Sequence, residues 1–176
     1  MYGLEEDIQE AVAGLDQSQQ MTVGLALANV MMETQEAIQG YVEGPEFEDK
    51  YGNIHEPDID TRIDVLIDTV AYGLTAFQSA YDGRDELALL GDKREAIRDQ
   101  FSTTIELTYK LAAASDLFGD YIQEKLGDLP DDTPKDEVIA RAKETMGNFV
   151  DRLGGMDEIK QPMEQLLELY LRMIDE

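Results

Sequence analysis

Apolar residues recur along this chain at three- and four-residue intervals, and no stretch shows the two-residue alternation of a half-buried strand. The pattern predicts an all-α protein, a helical bundle of six to seven helices with no sheet. A first helix is expected from about Leu4 to Leu15, carrying Leu4, Ile8, Val12 and Leu15 and ended by Gly14 and Asp16. Ser18 is the expected N-cap of a second, reaching about Tyr41, with an apolar face of Met21, Leu25, Ala28 and Met32 broadened by Leu27, Met31 and Ile38. This helix reads as the most deeply buried of the set.

Residues 42–58 contain two prolines, two glycines and no helical register, and so read as a long loop. Phe47, Tyr51, Ile54 and His55 are its candidate partner-binding residues. The third helix, about Asp60 to Tyr81, has the cleanest register: Ile63, Leu66, Ile67, Val70, Leu74, Phe77 and Tyr81. Asp82-Gly83 supplies a stop and Asp85 a new cap. A turn through Leu87, Leu89 and Leu90 leads into helical sequence from Asp92 to Leu126, one helix or two, because Ser115-Asp116 offers a restart.

Residues 127–133 read as a linker. Thr133-Pro134-Lys135-Asp136 then gives an N-cap, a proline at the first helical position and an acid in the first turn. That helix stops at Gly154-Gly155, and a last one is expected near Pro162, through Met163, Leu166, Leu167, Tyr170 and Ile174. The expected organisation is a single domain, with residues 1–126 as main bundle and 134–176 as a helical pair packed on it.

Charge changes this picture more than composition does. The chain of 176 residues carries 39 Asp and Glu against 14 Lys and Arg, a formal net charge of -25, and no basic residue precedes Lys50. At a Debye length of about 8 Å such repulsion works against a compact state, whereas at about 1 M salt the length falls to about 3 Å and the repulsion fades. Disorder is not implied, because 43% of residues are hydrophobic and fall in helical registers. A folded core under an acidic shell points to adaptation to high salt, as in a haloarchaeon or its viruses, in the cytoplasm or a virion. Direct nucleic-acid binding is disfavoured for want of a basic patch. No membrane association is expected, since no segment reaches the roughly 20 apolar residues of a span, and the N-terminus lacks the basic region of a secretory signal.

The inventory for chemistry is short. There is no cysteine, and the single histidine, His55, is expected in the loop. Glycine-rich phosphate cradles of the standard patterns are absent. What remains are carboxylates: Glu33 and Glu36 on the second helix, and Asp60, Asp64 and Asp68 at four-residue steps on the third. Acids so spaced share one side of a helix, and two such helices side by side offer oxygen ligands for Mg²⁺.

Across residues 25–77 the chain resembles the MazG-like all-α nucleoside triphosphate pyrophosphohydrolases. Met32-Glu33-Thr34-Gln35-Glu36 stands where that superfamily has Glu-Glu-x-x-Glu, with Met32 in place of the leading acid. Asp64 to Leu74 resembles its second motif helix, with Thr61 at the Glu position. The resemblance implies Mg²⁺ and cleavage of a nucleotide between its α- and β-phosphates. Helical rotation places most of these acids away from the apolar stripes, with Glu36 and Asp60 nearest an edge, about 80° from the stripe centre.

Three functions follow as expectations. The first is a non-enzymatic assembly or interaction protein without cofactors, meeting protein partners as a homo-oligomer or larger complex. The second is the Mg²⁺-dependent pyrophosphohydrolase. The third is an acidic regulator or DNA mimic that binds a basic partner.

Overall fold

The computed structural model describes residues 2–42, 57–130 and 132–174. Six α-helices occupy them, with no strand among the described residues: α1 (Tyr2–Val12), α2 (Gln17–Val42), α3 (Ile59–Asp82), α4 (Arg94–Leu126), α5 (Lys135–Arg152) and α6 (Asp157–Ile174). A 3₁₀ segment, Asp85–Lys93, joins α3 to α4. The expected all-α class is what the chain adopts.

Packing divides the chain into two compact units. Among the described residues, the first comprises 2–42 and 68–106, the second 57–67, 107–130 and 132–174. The divisions fall inside α3 and inside α4.

In the first unit, α1 and α2 both pack on the 3₁₀ segment, which buries Leu87 and Leu90. Inside this segment, which it kinks ahead of α4, Gly91 adopts φ 59 and ψ -133, a conformation open to glycine and costly for any side chain. Phe77 lies at the centre, its ring 5.6 Å from Tyr81 and 5.9 Å from Phe101. Val23, Ala26, Val30 and Ile38 of α2, with Val70 of α3 and Ile97 and Ile105 of α4, are buried with them.

In the second unit, one apolar cluster joins Ile59 and Ile63 of α3 to Ala114, Leu117, Phe118, Tyr121 and Ile122 of α4. It extends through Phe149 and Val150 of α5 and Leu153 just after it to Ile159, Met163 and Leu167 of α6. Phe149 anchors it, with its ring 5.6 Å from Phe118 and 5.1 Å from Tyr121.

Several local expectations are corrected. Asp16, not Ser18, caps α2: its carboxylate accepts the N–H of Gln19 at 2.9 Å, and the Gln19 side chain accepts the N–H of Asp16 at 3.1 Å. This is a reciprocal capping box. Asp85 is not a cap, because Arg84 precedes the 3₁₀ segment without a side-chain capping bond. Of the two readings left open for the stretch after Asp92, one helix or two, α4 is one, and the Ser115 hydroxyl donates to the Leu111 carbonyl at 3.0 Å. Thr133 turns its hydroxyl back to the Pro130 carbonyl at 2.6 Å and leaves the α5 boundary to Pro134.

The last helix starts a turn and a half before Pro162, which lies inside it. The Met156 carbonyl accepts the N–H groups of Ile159 and Lys160, each at 3.0 Å, and Asp157 and Glu158 fill the acid-favouring first turn. Pro162 therefore removes one ladder bond without ending the helix. The stop at Gly154-Gly155 is as expected: both residues have positive φ, and the Gly155 N–H donates to Val150 at 2.9 Å.

The largest correction concerns α2. Its buried stripe is Val23, Ala26, Val30, Thr34 and Ile38, whereas Met21, Leu25 and Met32 are 63%, 61% and 59% exposed.

Candidate functional site

Each candidate acid has a definite place. In the first unit Glu33 is exposed and ion-paired with Arg84, while Glu36 and Asp68 are exposed. In the second unit Asp60 and Asp64, one turn apart on α3, are brought together by Arg152 of α5. That guanidinium donates to the Asp60 carboxylate, to the Asp60 carbonyl at 3.2 Å and to Asp64 Oδ1 at 2.7 Å. Lys125 of α4 adds a bond of 2.8 Å to Asp60 Oδ2 and stands 5.5 Å from the centre of the Tyr121 ring.

The Lys125 ammonium, followed by Arg152, holds the Asp60 carboxyl below the usual carboxylate range, against a partial loss of hydration. Lys125 is raised in turn, chiefly by Asp60. A divalent cation would have to displace both partners to reach this carboxylate. Among the described residues no group of three or more His, Asp or Glu side chains is placed to hold a metal ion. Spacing along α3 gave no sign of Arg152 or Lys125, because both arrive from elements distant in sequence.

Phe47, Tyr51, Ile54 and His55 lie outside the described residues. A surface cleft of about 580 Å³ in the first unit is lined in part by Arg94 and Arg98. Both guanidinium groups are engaged there: Arg94 donates to the carbonyls of Tyr81, Asp82 and Arg84, and Arg98 to Asp82 and Asp99. The cleft is thus poorly suited to an anion.

The outward face of α2 stands apart from the rest of the described surface. From Gln17 to Met32 the helix carries no Asp, Glu, Lys or Arg, in a chain whose residues are 30% charged. On that face Met21, Leu25, Met31 and Met32 are exposed at 63%, 61%, 37% and 59%, with Ala28 exposed among them. At 100° per residue this stripe is centred roughly 150° from the buried one, so α2 is apolar on two nearly opposite sides. A Cβ built on Gly24, beside the stripe, meets nothing within 4 Å. Scattered single apolar residues on a surface are ordinary, but a contiguous set marks an interaction face. The signal in the sequence was the missing charge rather than the apolar spacing.

Comparison with family models, curated proteins and solved structures found no match. The resemblance to the MazG-like pyrophosphohydrolases therefore rests on residues 25–77 alone. No helix among the described residues is long and apolar enough to cross a membrane.

Proposed function

We propose that this protein is a non-enzymatic helical component of a larger protein assembly adapted to concentrated salt, working in the cytoplasm of a salt-accumulating cell or in a virion. The observation that carries the proposal is the uncharged, exposed apolar face of α2 on a chain of net charge -25. Desolvating this face gains about 25 cal/mol per Å² of apolar surface, and no carboxylate between Gln17 and Met32 has to be stripped of water. Elsewhere the exposed acids keep the surface hydrated and make non-specific contact unfavourable.

The carboxylates support the same reading. Asp60 and Asp64 are bound by Arg152 and Lys125, and Glu33 by Arg84, which makes them structural ion pairs on present geometry. As a DNA mimic or sequestering regulator, the protein would present its acids to a basic partner, whereas the apolar face offers such a partner no counter-charge.

The test is native purification from a halophilic host in molar KCl, followed by identification of what co-elutes. The expected result is stoichiometric association, with itself or with other subunits, and no pyrophosphate release from a nucleotide panel with Mg²⁺. A chain that elutes alone as a monomer and hydrolyses nucleotides, with activity abolished by Glu36→Gln or Asp64→Asn, would overturn the proposal.

A further inference from the structure

We infer that the occupant of the exposed α2 face is a second copy of this chain, bound through an antiparallel α2–α2 pair about a two-fold axis near Ala28. The inference rests on the assembly reading above and adds to it the identity of the partner and the surface used.

Charge selects the occupant. A copy of this chain brings a formal charge of -25 to a partner of the same charge, so close approach is least costly where neither surface is charged. With the axis at Ala28, the stretch from Gly24 to Met32 is free of charge on both copies at once. A basic partner is a poor fit, since nothing on this face answers its charge. An anionic membrane is a poor fit for the opposite reason: interfacial helices hold lipid with Lys and Arg, which α2 lacks between Gln17 and Met32.

Spacing selects the geometry. Met21, Ala28 and Gln35 are seven residues apart, as are Gly24 and Met31, and Leu25 and Met32. This is the seam of a helix pair in which large side chains enter gaps on the facing helix. Two-fold antiparallel pairing about Ala28 sets Met31 of one copy opposite the open position at Gly24 of the other, sets Met32 opposite Leu25, and brings the two Ala28 positions together. A two-fold contact uses the same patch on both partners, as a single self-complementary face requires.

The seam from Met21 to Gln35 is about 22 Å long, so the area buried falls below the ~800 Å² per partner of a standard interface. The dimer is accordingly expected to be reversible and to tighten with salt. Dissociation at about 0.1 M KCl, where the Debye length is about 10 Å, should exceed that at about 1 M, where it is about 3 Å, by at least tenfold.

Sedimentation equilibrium of the full chain at both salt concentrations, with Leu25→Glu and Met32→Glu beside wild type, reads these expectations directly. Both replaced side chains are exposed, so the variants should keep the helical circular dichroism of wild type while the dissociation constant rises at least tenfold. The chain has no cysteine, which makes Ala28→Cys a direct reporter of the axis. It should cross-link to a disulfide dimer on mild oxidation, whereas Ala140→Cys on α5 should not. A dimer indifferent to both glutamates and silent at Ala28→Cys would leave the assembly reading standing and overturn this face as its interface. A monomer at every concentration would overturn the inference, as would one whose melting temperature drops in the α2 variants, which would mean that the face is covered from within its own chain. Vesicle binding, or capture of a basic protein, that Leu25→Glu abolishes would overturn it equally.

Discussion

Ile38 of α2 occupies the space that a side chain on Gly73 of α3 would need: a Cβ built at Gly73 would stand 2.5 Å from both Cγ1 and Cδ1 of Ile38. Ile38 is itself buried, so it has little room to yield. Glycine in the middle of α3 costs helix stability of about 1 kcal/mol relative to alanine, and the close approach of the two helices is what offsets that cost. Gly73→Ala is expected to lose up to about 2 kcal/mol, the ~1–3 kcal/mol of overpacking less the ~1 kcal/mol gain in propensity. Combining it with Ile38→Ala should cost less than the sum of the two single changes, as residues in contact do. Additive losses in urea denaturation would show that the two positions are not in contact.

Tyr81 is fully buried, and its hydroxyl donates to the Arg94 carbonyl at 2.9 Å where the chain enters α4. Burial pushes its phenol up to about 12. A group raised above its unfolded value of about 10 contributes stability that is whole below that pH and drains away as pH rises through the folded value. Tyr81→Phe should cost about 1 kcal/mol at neutral pH by leaving the carbonyl without this donor. The gap between wild type and variant should then narrow as pH climbs above about 10. A gap that stays constant into alkali would contradict burial as the cause of the shift.

Asp60 carries the opposite sign. Its carboxyl is lowered, first by Lys125 and then by Arg152, so its contribution is present above about pH 4 and is lost as pH falls through the lower folded value. The Asp60 side chain is 48% exposed, so screening limits the effect, and Asp60→Asn should cost on the order of 1 kcal/mol at neutral pH in low salt. Thermal melts at neutral pH and near pH 2–3 should show that cost disappear in acid. A deficit that persists in acid would place the role of Asp60 in packing rather than in charge.

The helices themselves were legible because most apolar stripes are made of large side chains facing the core. Ile63, Val70, Phe77 and Tyr81 of α3 are buried as their spacing implied. The same reasoning failed on α2, where the larger side chains face outward and the buried stripe contains Ala26 and Thr34. Close packing prefers those smaller residues, and Thr34 satisfies its buried hydroxyl by donating to the Val30 carbonyl at 2.8 Å. Size-weighted periodicity therefore selects the wrong side of a helix that is apolar on two. The ion pairs of Asp60 and Asp64 were illegible for a different reason, since Arg152 lies 92 and 88 residues away in sequence.

Salt dependence follows from the surface rather than from any one pair. Acidic residues outnumber Lys and Arg by 39 to 14, and the excess carboxylates repel one another most in the compact state. Raising KCl from about 0.1 to about 1 M cuts the screening length from about 10 to about 3 Å, which weakens this repulsion more than it weakens pairs in direct contact. The urea midpoint of unfolding should therefore rise steadily with KCl. Replacing the exposed Glu5, Glu6 and Glu36 together by lysine adds two units of charge at each position and should flatten that slope, raising stability at low salt while changing little at high salt. Equal slopes for the two proteins would mean that salt acts through apolar burial, as it does on any core, and that net charge is incidental to its stability.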